Sequence, residues 1–390
     1  MSTPNLCYWT IAQTGRVVPL VSGIPGVAKT KTTEAFARAV DRPCYTLIGS
    51  IREPGDVGGY PYLTKTKTPV RDPITGTEID VWMQLVAPKW AVDCHDGKDW
   101  IVFIDELTTC PPAVQAALLR VIAEKVVGDM PLPEKTWILT ACNPSGIAAN
   151  GFELEPPMAN RLCHLEWETD WSAWDRGMTS GLQFPEPSFT RLPENWTDGL
   201  SKTGSMFTAF RRARPNLFED YPQDRAKAGG PWPSPRSWTN AALCATAMEA
   251  VGADPAQRYR AIDGCIGDAG REYMTWENNL DLPDPEELLA KAAAALRAKR
   301  DFEHAYPNRA DKVMAVLVSV TDRALRHNPS PKRWEAAAEI FSWVAGHQPE
   351  LCVVCCHPLL RDMPNTSMLS GKIINHVLPL LQKVGMVPAM

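Results

Sequence analysis

Val17-Val18-Pro19-Leu20-Val21-Ser22-Gly23-Ile24-Pro25-Gly26-Val27-Ala28-Lys29-Thr30 decides the fold. An apolar, β-branched run from Val17 to Val21 reads as a buried strand, the glycines as a tight turn, and Lys31 to Val40 as the helix that follows. That order is what a phosphate-binding loop requires. Glycines let backbone N–H groups turn inward around a β-phosphate, and a helix N-terminus adds its positive dipole end. Lys29 would neutralise β/γ oxygens and Thr30 would ligate Mg²⁺. Gly23, Pro25, Gly26, Val27, Ala28, Lys29, Thr30 and Lys31 are the expected nucleotide-binding residues. Ala28 departs from the pattern, which has a second glycine there; a methyl group is small enough to keep the loop. The plainer reading, a glycine turn with a surface lysine, lacks the flanking strand and helix.

Two further runs, Ile101 to Ile104 and Trp137 to Ala141, also read as buried parallel strands. Each ends in polar residues at the carboxyl edge, where such sheets present ligands. After Ile104 come Asp105, expected to hold the Mg²⁺ shell, and Glu106, expected to activate the attacking water. An apolar strand followed by Asp-Glu is common, and only its pairing with the loop favours the functional reading. After Ala141 come Cys142 and Asn143, whose amide would reach the γ-phosphate or the water. Asn before Pro144 is equally a turn initiator. Between the strands, Val114, Ala117, Leu118, Val121 and Ile122 form the apolar stripe of a helix opening near Pro111 and Pro112.

Arg161 precedes another expected strand, Leu162 to Leu165, and reads either as a surface residue or as a guanidinium for a neighbouring subunit's γ-phosphate. Within Gly59 to Trp90, Lys65 to Thr68 and Asp72 to Gly76 read as turns beside extended residues Ile79 to Leu85, an insertion containing a hairpin. Prolines crowd between Phe184 and Pro235, and from Trp238 onward the chain is alanine-rich and helical.

The order of these motifs resembles the AAA+ ATPases: Gly23 to Thr30 as Walker A, Ile101 to Glu106 as Walker B, Asn143 as sensor 1, Arg161 as arginine finger and Arg236 as sensor 2. The MoxR-like and dynein-related branch, which carries a helix-2 insertion, is the one it resembles most, through Gly-x-Pro-Gly-x-Ala-Lys-Thr and through Arg52 to Gly59. Glu124 to Pro144, with a tip at Gly128-Asp129 to Pro133, is similar to that branch's hairpin before sensor 1. The resemblance covers about Val17 to Arg260. It implies ATP and Mg²⁺ as cofactors, hydrolysis of ATP, and a homo-oligomer, usually a hexameric ring, in which Arg161 completes a neighbour's site. Arg236 would contact the γ-phosphate from the lid, within or across subunits. Relatives act as chaperone-like ATPases with a protein client, often one with a von Willebrand factor A domain.

The expected fold class is therefore α/β, a P-loop NTPase parallel sheet with helices on both faces, then an α-helical lid and a helical C-terminal extension. The expected domains are 1–168 for the nucleotide-binding part with its insertion near 59–90, 169–235 for a Pro/Trp-rich connection, 236–270 for the lid and 271–390 for the extension. Two rivals stand beside the client-remodelling motor: an ATP-controlled adaptor with little turnover, and a nucleic-acid motor. The formal net charge of -5 argues against the last.

Eleven cysteines without repeating spacing do not form a secreted disulfide framework, so a reducing cytoplasm is expected. No secretory signal or membrane span is read, so no membrane partner is expected. Cys352, Cys355, Cys356 and His357, with His347 nearby, have metal-like spacing, but a buried apolar stretch using Cys as a small hydrophobe is favoured. Arg211, Arg212 and Arg214, beside Phe207 and Phe210, are read as a helix packed on the ring body rather than a nucleic-acid surface. Trp167 to Trp232 serves either as a docking surface or as ordinary packing.

Overall fold

The computed structural model describes residues 5–72, 74–144, 151–304, 309–326, 329–364 and 379. Most of 365–390, the end of the expected extension, lies outside the described residues. The chain divides into two compact units, Met1–Thr197 with Glu219–Gly270, and Asp198–Phe218 with Arg271–Met390.

In the first unit β1 (Val18–Ser22), β2 (Cys44–Ile48), β5 (Ile101–Asp105), β8 (Trp137–Cys142) and β9 (Leu162–Glu166) form one sheet in the order β2-β5-β8-β1-β9. Every pairing in it is parallel. The central strands are buried on both faces, which is why they read as unbroken apolar runs rather than alternating ones. On one face Leu20, Val102, Ile104 and Ile138 pack with Val114, Leu118 and Val121 of α5 (Pro112–Glu124). On the other face lies α1 (Leu6–Gln13), whose residues Leu6 to Ala12 are all buried and whose Tyr8 hydroxyl donates to Thr140 O at 3.1 Å. A helix apolar all round belongs in a core. Also in this unit are α2 (Lys29–Ala39), α3 (Pro54–Gly58), α4 (Lys89–Asp93), α6 (Pro156–Ala159), α7 (Trp171–Thr179) and α9 (Arg225–Ala228).

The phosphate-loop helix begins at Lys29, two residues before the expected Lys31, because the loop itself supplies the first turn. The insertion is a two-stranded antiparallel ribbon of β3 (Tyr60–Arg71) and β4 (Glu78–Val86). The expected turn at Lys65 to Thr68 is corrected: these residues continue β3, with a register shift between Lys65 and Val70. Alternating Thr and Lys carry no apolar signal, and the strand they belong to pairs with β4 on either side of them, at Lys65 and again at Val70. The turn at Asp72 to Gly76 is present, with the Asp72 carboxylate accepting from the N–H groups of Ile74 and Thr75. A second small hairpin, β6 (Val126–Val127) and β7 (Met130–Pro131), turns at Gly128 and Asp129.

Two antiparallel lid helices, α10 (Pro235–Ala250) and α11 (Pro255–Ile266), complete the first unit, and α11 packs on β9. The approach is close: a Cβ on Gly264 would lie 2.5 Å from His164 O. In the second unit α8 (Leu200–Ala213) buries Phe207 and Phe210 and packs with α14 (Ala310–Arg326). Accompanying them are α12 (Asp268–Asn278), α13 (Pro285–Arg297), α15 (Pro331–Ala345), α16 (Pro349–Cys355) and α17 (His357–Arg361). Thus 169–235 is more than a connection: it contributes α7 and α9 to one unit and α8 to the other. Arg211 and Arg212 sit exposed on the last turn of α8. Among the described residues no helix is long and apolar enough to cross a membrane.

Candidate nucleotide site

Sheet order brings the motifs together. With β8 between β5 and β1, the loop after β1 and the residues ending β5 and β8 emerge side by side at one carboxyl edge. Lys29, the first residue of α2, is 8% exposed, and its Nζ donates to Asn143 Oδ1 at 2.9 Å and to Ile24 O at 3.3 Å, as well as to Gly23 O. Burial is the main influence on this ammonium and lowers its pKa, opposed by the negative charge of Asp105. Thr30 Oγ1 donates to Asp105 Oδ2 at 2.7 Å. These two oxygens are the hard donors that suit Mg²⁺, so the side chains fit the ion the motifs imply.

Two residues here hold the left-handed backbone that L side chains avoid, Ala28 at φ 65° and Glu106 at φ 61°. Ala28 immediately precedes Lys29, the first helical residue. Gly26, at φ 86°, has open space where a Cβ would stand. Gly23 is constrained instead, because a Cβ there would lie 2.7 Å from Trp167 Cβ. Pro25 is exposed and Val27 half-buried on the loop. Lys31 turns to solvent and pairs with Glu34 at 3.0 Å, so only its backbone faces the loop.

Glu106 caps the end of β5. Its N–H donates to Asp105 Oδ1 at 2.8 Å, and its carboxylate accepts from the Ser50 hydroxyl. Thr108 Oγ1 donates to Asn143 O at 3.2 Å, fixing the backbone that carries the amide. Ser50, Thr108 and Trp167 were missed by the motif reading. Each follows a strand of the central sheet, and that position was the only signal available.

Arg161 and Arg236 lie elsewhere. Leu162 pairs with Val18, so Arg161 stands at the amino edge of the sheet, opposite its own loop. Its Nη1 donates to Pro157 O at 2.6 Å. Arg161 is close enough to Arg236 that, after burial, the neighbouring charge is the next cause lowering its pKa. A clamp explains the proximity. Asn160 donates to Trp232 O at 3.0 Å and accepts from the Ser234 hydroxyl at 2.8 Å, while Ser234 caps α10 at Ser237 N. Arg236 is thereby fixed in the first turn of α10 and exposed beside Arg161.

Residues 19–150 match the family model described as the AAA domain of the dynein-related subfamily. The chain carries an AAA+ nucleotide-binding domain of that branch. No curated protein matches the chain. Among solved structures, it is similar to a candidate ATPase from Cytophaga hutchinsonii at 18% identity, over 67% of this chain and 79% of that one, with a TM-score of 0.39. The Lys29, Thr30, Asp105 and Asn143 contacts all lie within the matched AAA segment, whereas Arg161 and Arg236 lie beyond it.

In the run Cys352 to His357 the three cysteines face inward and His357 is exposed. Cys352, Cys355 and Cys356 are buried, and Cys352 Sγ donates to Phe341 O at 3.4 Å.

Proposed function

We propose that this AAA+ protein hydrolyses ATP in a homo-oligomeric ring, of the MoxR-like kind, and uses the turnover to remodel a protein partner. The observation that supports it best is the placement of the candidate site residues at two opposite edges of the sheet. Phosphate-holding and water-activating groups stand at the carboxyl edge, while the half-buried Arg161 and the exposed Arg236 stand at the amino edge, where their own loop is out of reach. A closed ring places the second edge of one subunit against the first edge of the next.

In this mechanism Gly26 and Ala28 orient backbone N–H groups around the β-phosphate, and Lys29 exchanges its carbonyl and amide partners for β/γ oxygens. Thr30 and Asp105 hold Mg²⁺, which supplies charge neutralisation on the phosphates when bound. Glu106 accepts the proton of the attacking water, and its bond to Ser50 fixes the carboxylate's direction. Asn143 polarises the water or the γ-phosphate from β8. Arg161 and Arg236 of the neighbour stabilise the charge that develops on the transferred group. No residue names the client, and a von Willebrand factor A domain partner rests on resemblance to the branch.

The test is the solution mass and turnover of Glu106→Gln with Mg-ATP. The expected result is nucleotide binding with turnover reduced by roughly 10² or more, and a shift to about six subunits that Arg161→Ala abolishes. A variant that binds ATP and stays monomeric removes the shared site and favours a nucleotide-controlled adaptor.

A further inference from the structure

In the first unit, away from the nucleotide site, three sulfur atoms converge from elements distant in sequence. Cys163 comes from β9, Cys244 from α10 and Cys265 from α11. Their Sγ atoms all lie within 4.8 Å of one another, with Cys244 and Cys265 at 3.8 Å. None is more than 1% exposed. Among the described residues this is the one group of three or more His, Cys, Asp or Glu side chains whose donor atoms converge in this way.

Cysteines that serve as small hydrophobes need only face apolar neighbours. These three face one another. A metal–sulfur bond of ~2.3 Å places the sulfurs of a tetrahedral site about 3.8 Å apart, the separation of Cys244 and Cys265. With no carboxylate or imidazole in the group, the donor set is wholly soft and suits a thiophilic ion, not Mg²⁺ or Ca²⁺. Cys7 on α1 lies outside this converging group, buried and donating to Gln257 O of α11 at 3.3 Å. It is near enough to β9 for the charge on Cys163 to act on its thiol.

We propose that Cys163, Cys244 and Cys265 form a structural site for a thiophilic closed-shell ion, Zn(II) or Cu(I), with Cys7 recruited as fourth ligand when the ion is Zn(II). Three thiols and Cu(I) give a trigonal tris-thiolate and release three protons; four thiols and Zn(II) give a tetrakis-thiolate and release four. No oxidant is required. The site is closed to solvent, so its role is to hold elements together. It ties both lid helices to β9, which begins one residue after Arg161, while α10 presents Arg236 in its first turn. An ion here fixes the element that carries the two arginines.

The experiment uses the full chain, purified anaerobically with a non-thiol reductant, and measures bound metal by mass spectrometry. About one zinc or copper ion per chain is expected, retained through dialysis, with a higher thermal midpoint than the chelator-stripped protein. Cys7→Ser should lose zinc yet retain Cu(I), which distinguishes the two ions, whereas Cys352→Ser, in the other unit, should change neither. Because Cys265→Ser alters a packed core, the stripped wild-type protein is also titrated with Cd(II) and its thiolate-to-metal absorption band recorded. A folded, reduced protein that carries no ion, gives no band with Cd(II) and takes up neither Zn(II) nor Cu(I) overturns the site and leaves the three sulfurs as core packing. Metal that remains bound in a folded Cys265→Ser variant overturns it as well.

Discussion

Mixing two inactive variants tests the division of the site between subunits. Leu162, the residue after Arg161, pairs with Val18, and the phosphate loop begins after Ser22, four residues further along β1. At ~3.3 Å per residue the two ends are about 13 Å apart, beyond the reach of an arginine already bonded to Pro157 O. Arg161→Ala should therefore leave its own loop intact and deprive only a neighbour, and Lys29→Ala should do the reverse. Each pure variant is expected to lose turnover by ~10³ or more. In a random equal mixture, half the loops are intact and half of those face an intact arginine. About a quarter of the sites are then complete, so turnover should recover to about a quarter of wild type. The assay is steady-state phosphate release against mixing ratio at fixed total protein, with a maximum near equal amounts. A flat line at the level of the pure variants, although mixed oligomers form, would refute the assignment of Arg161 to a neighbour's site.

Three other outcomes follow from single contacts. Ala28→Gly relieves a left-handed residue, worth ~1–2 kcal/mol, against ~0.4–1 kcal/mol of added chain entropy, so thermal unfolding should show the first unit stabilised by roughly 0.5–1 kcal/mol. Gly264→Ala places a Cβ 2.5 Å from His164 O and 2.9 Å from Cys163 Sγ, and denaturant titration should show a loss of about 1–3 kcal/mol. His164 is half-buried and bonded to Ala159 O, and desolvation of its ring lowers its pKa below 6.5. The unfolded chain then takes up the proton first, so this group's contribution is intact above about pH 6.5 and is lost as pH falls. A folded His164→Gln variant should lack that part of the slope.

Local signals were legible and convergence was not. The phosphate loop declares itself because strand, glycines, lysine and helix adjoin in the chain, and Ile101 to Asp105 and Trp137 to Cys142 show their burial in composition alone. Their meeting at Lys29 and Asn143 depends on β8 lying between β5 and β1, a tertiary fact without a sequence period. The Thr-Lys stretch of β3 was misread as a turn because its strand is specified by a partner strand. Conversely, Cys352 to His357 had attractive spacing, yet its cysteines are buried with His357 turned to solvent, while Cys163, Cys244 and Cys265, with no spacing at all, come together through the folding of α10 and α11 onto β9.

The Asn160 clamp has a mechanical meaning. One amide joins the chain entering β9 to the cap of α10, so the backbones that carry the two mutually repelling guanidiniums are coupled. In the proposed ring, a tilt of α10 that keeps the clamp would carry Asn160 and the neighbouring Arg161 with Arg236, and an anion seated between the two guanidiniums would offset their mutual repulsion. Communication around the ring would thus act on the two arginines together at each boundary.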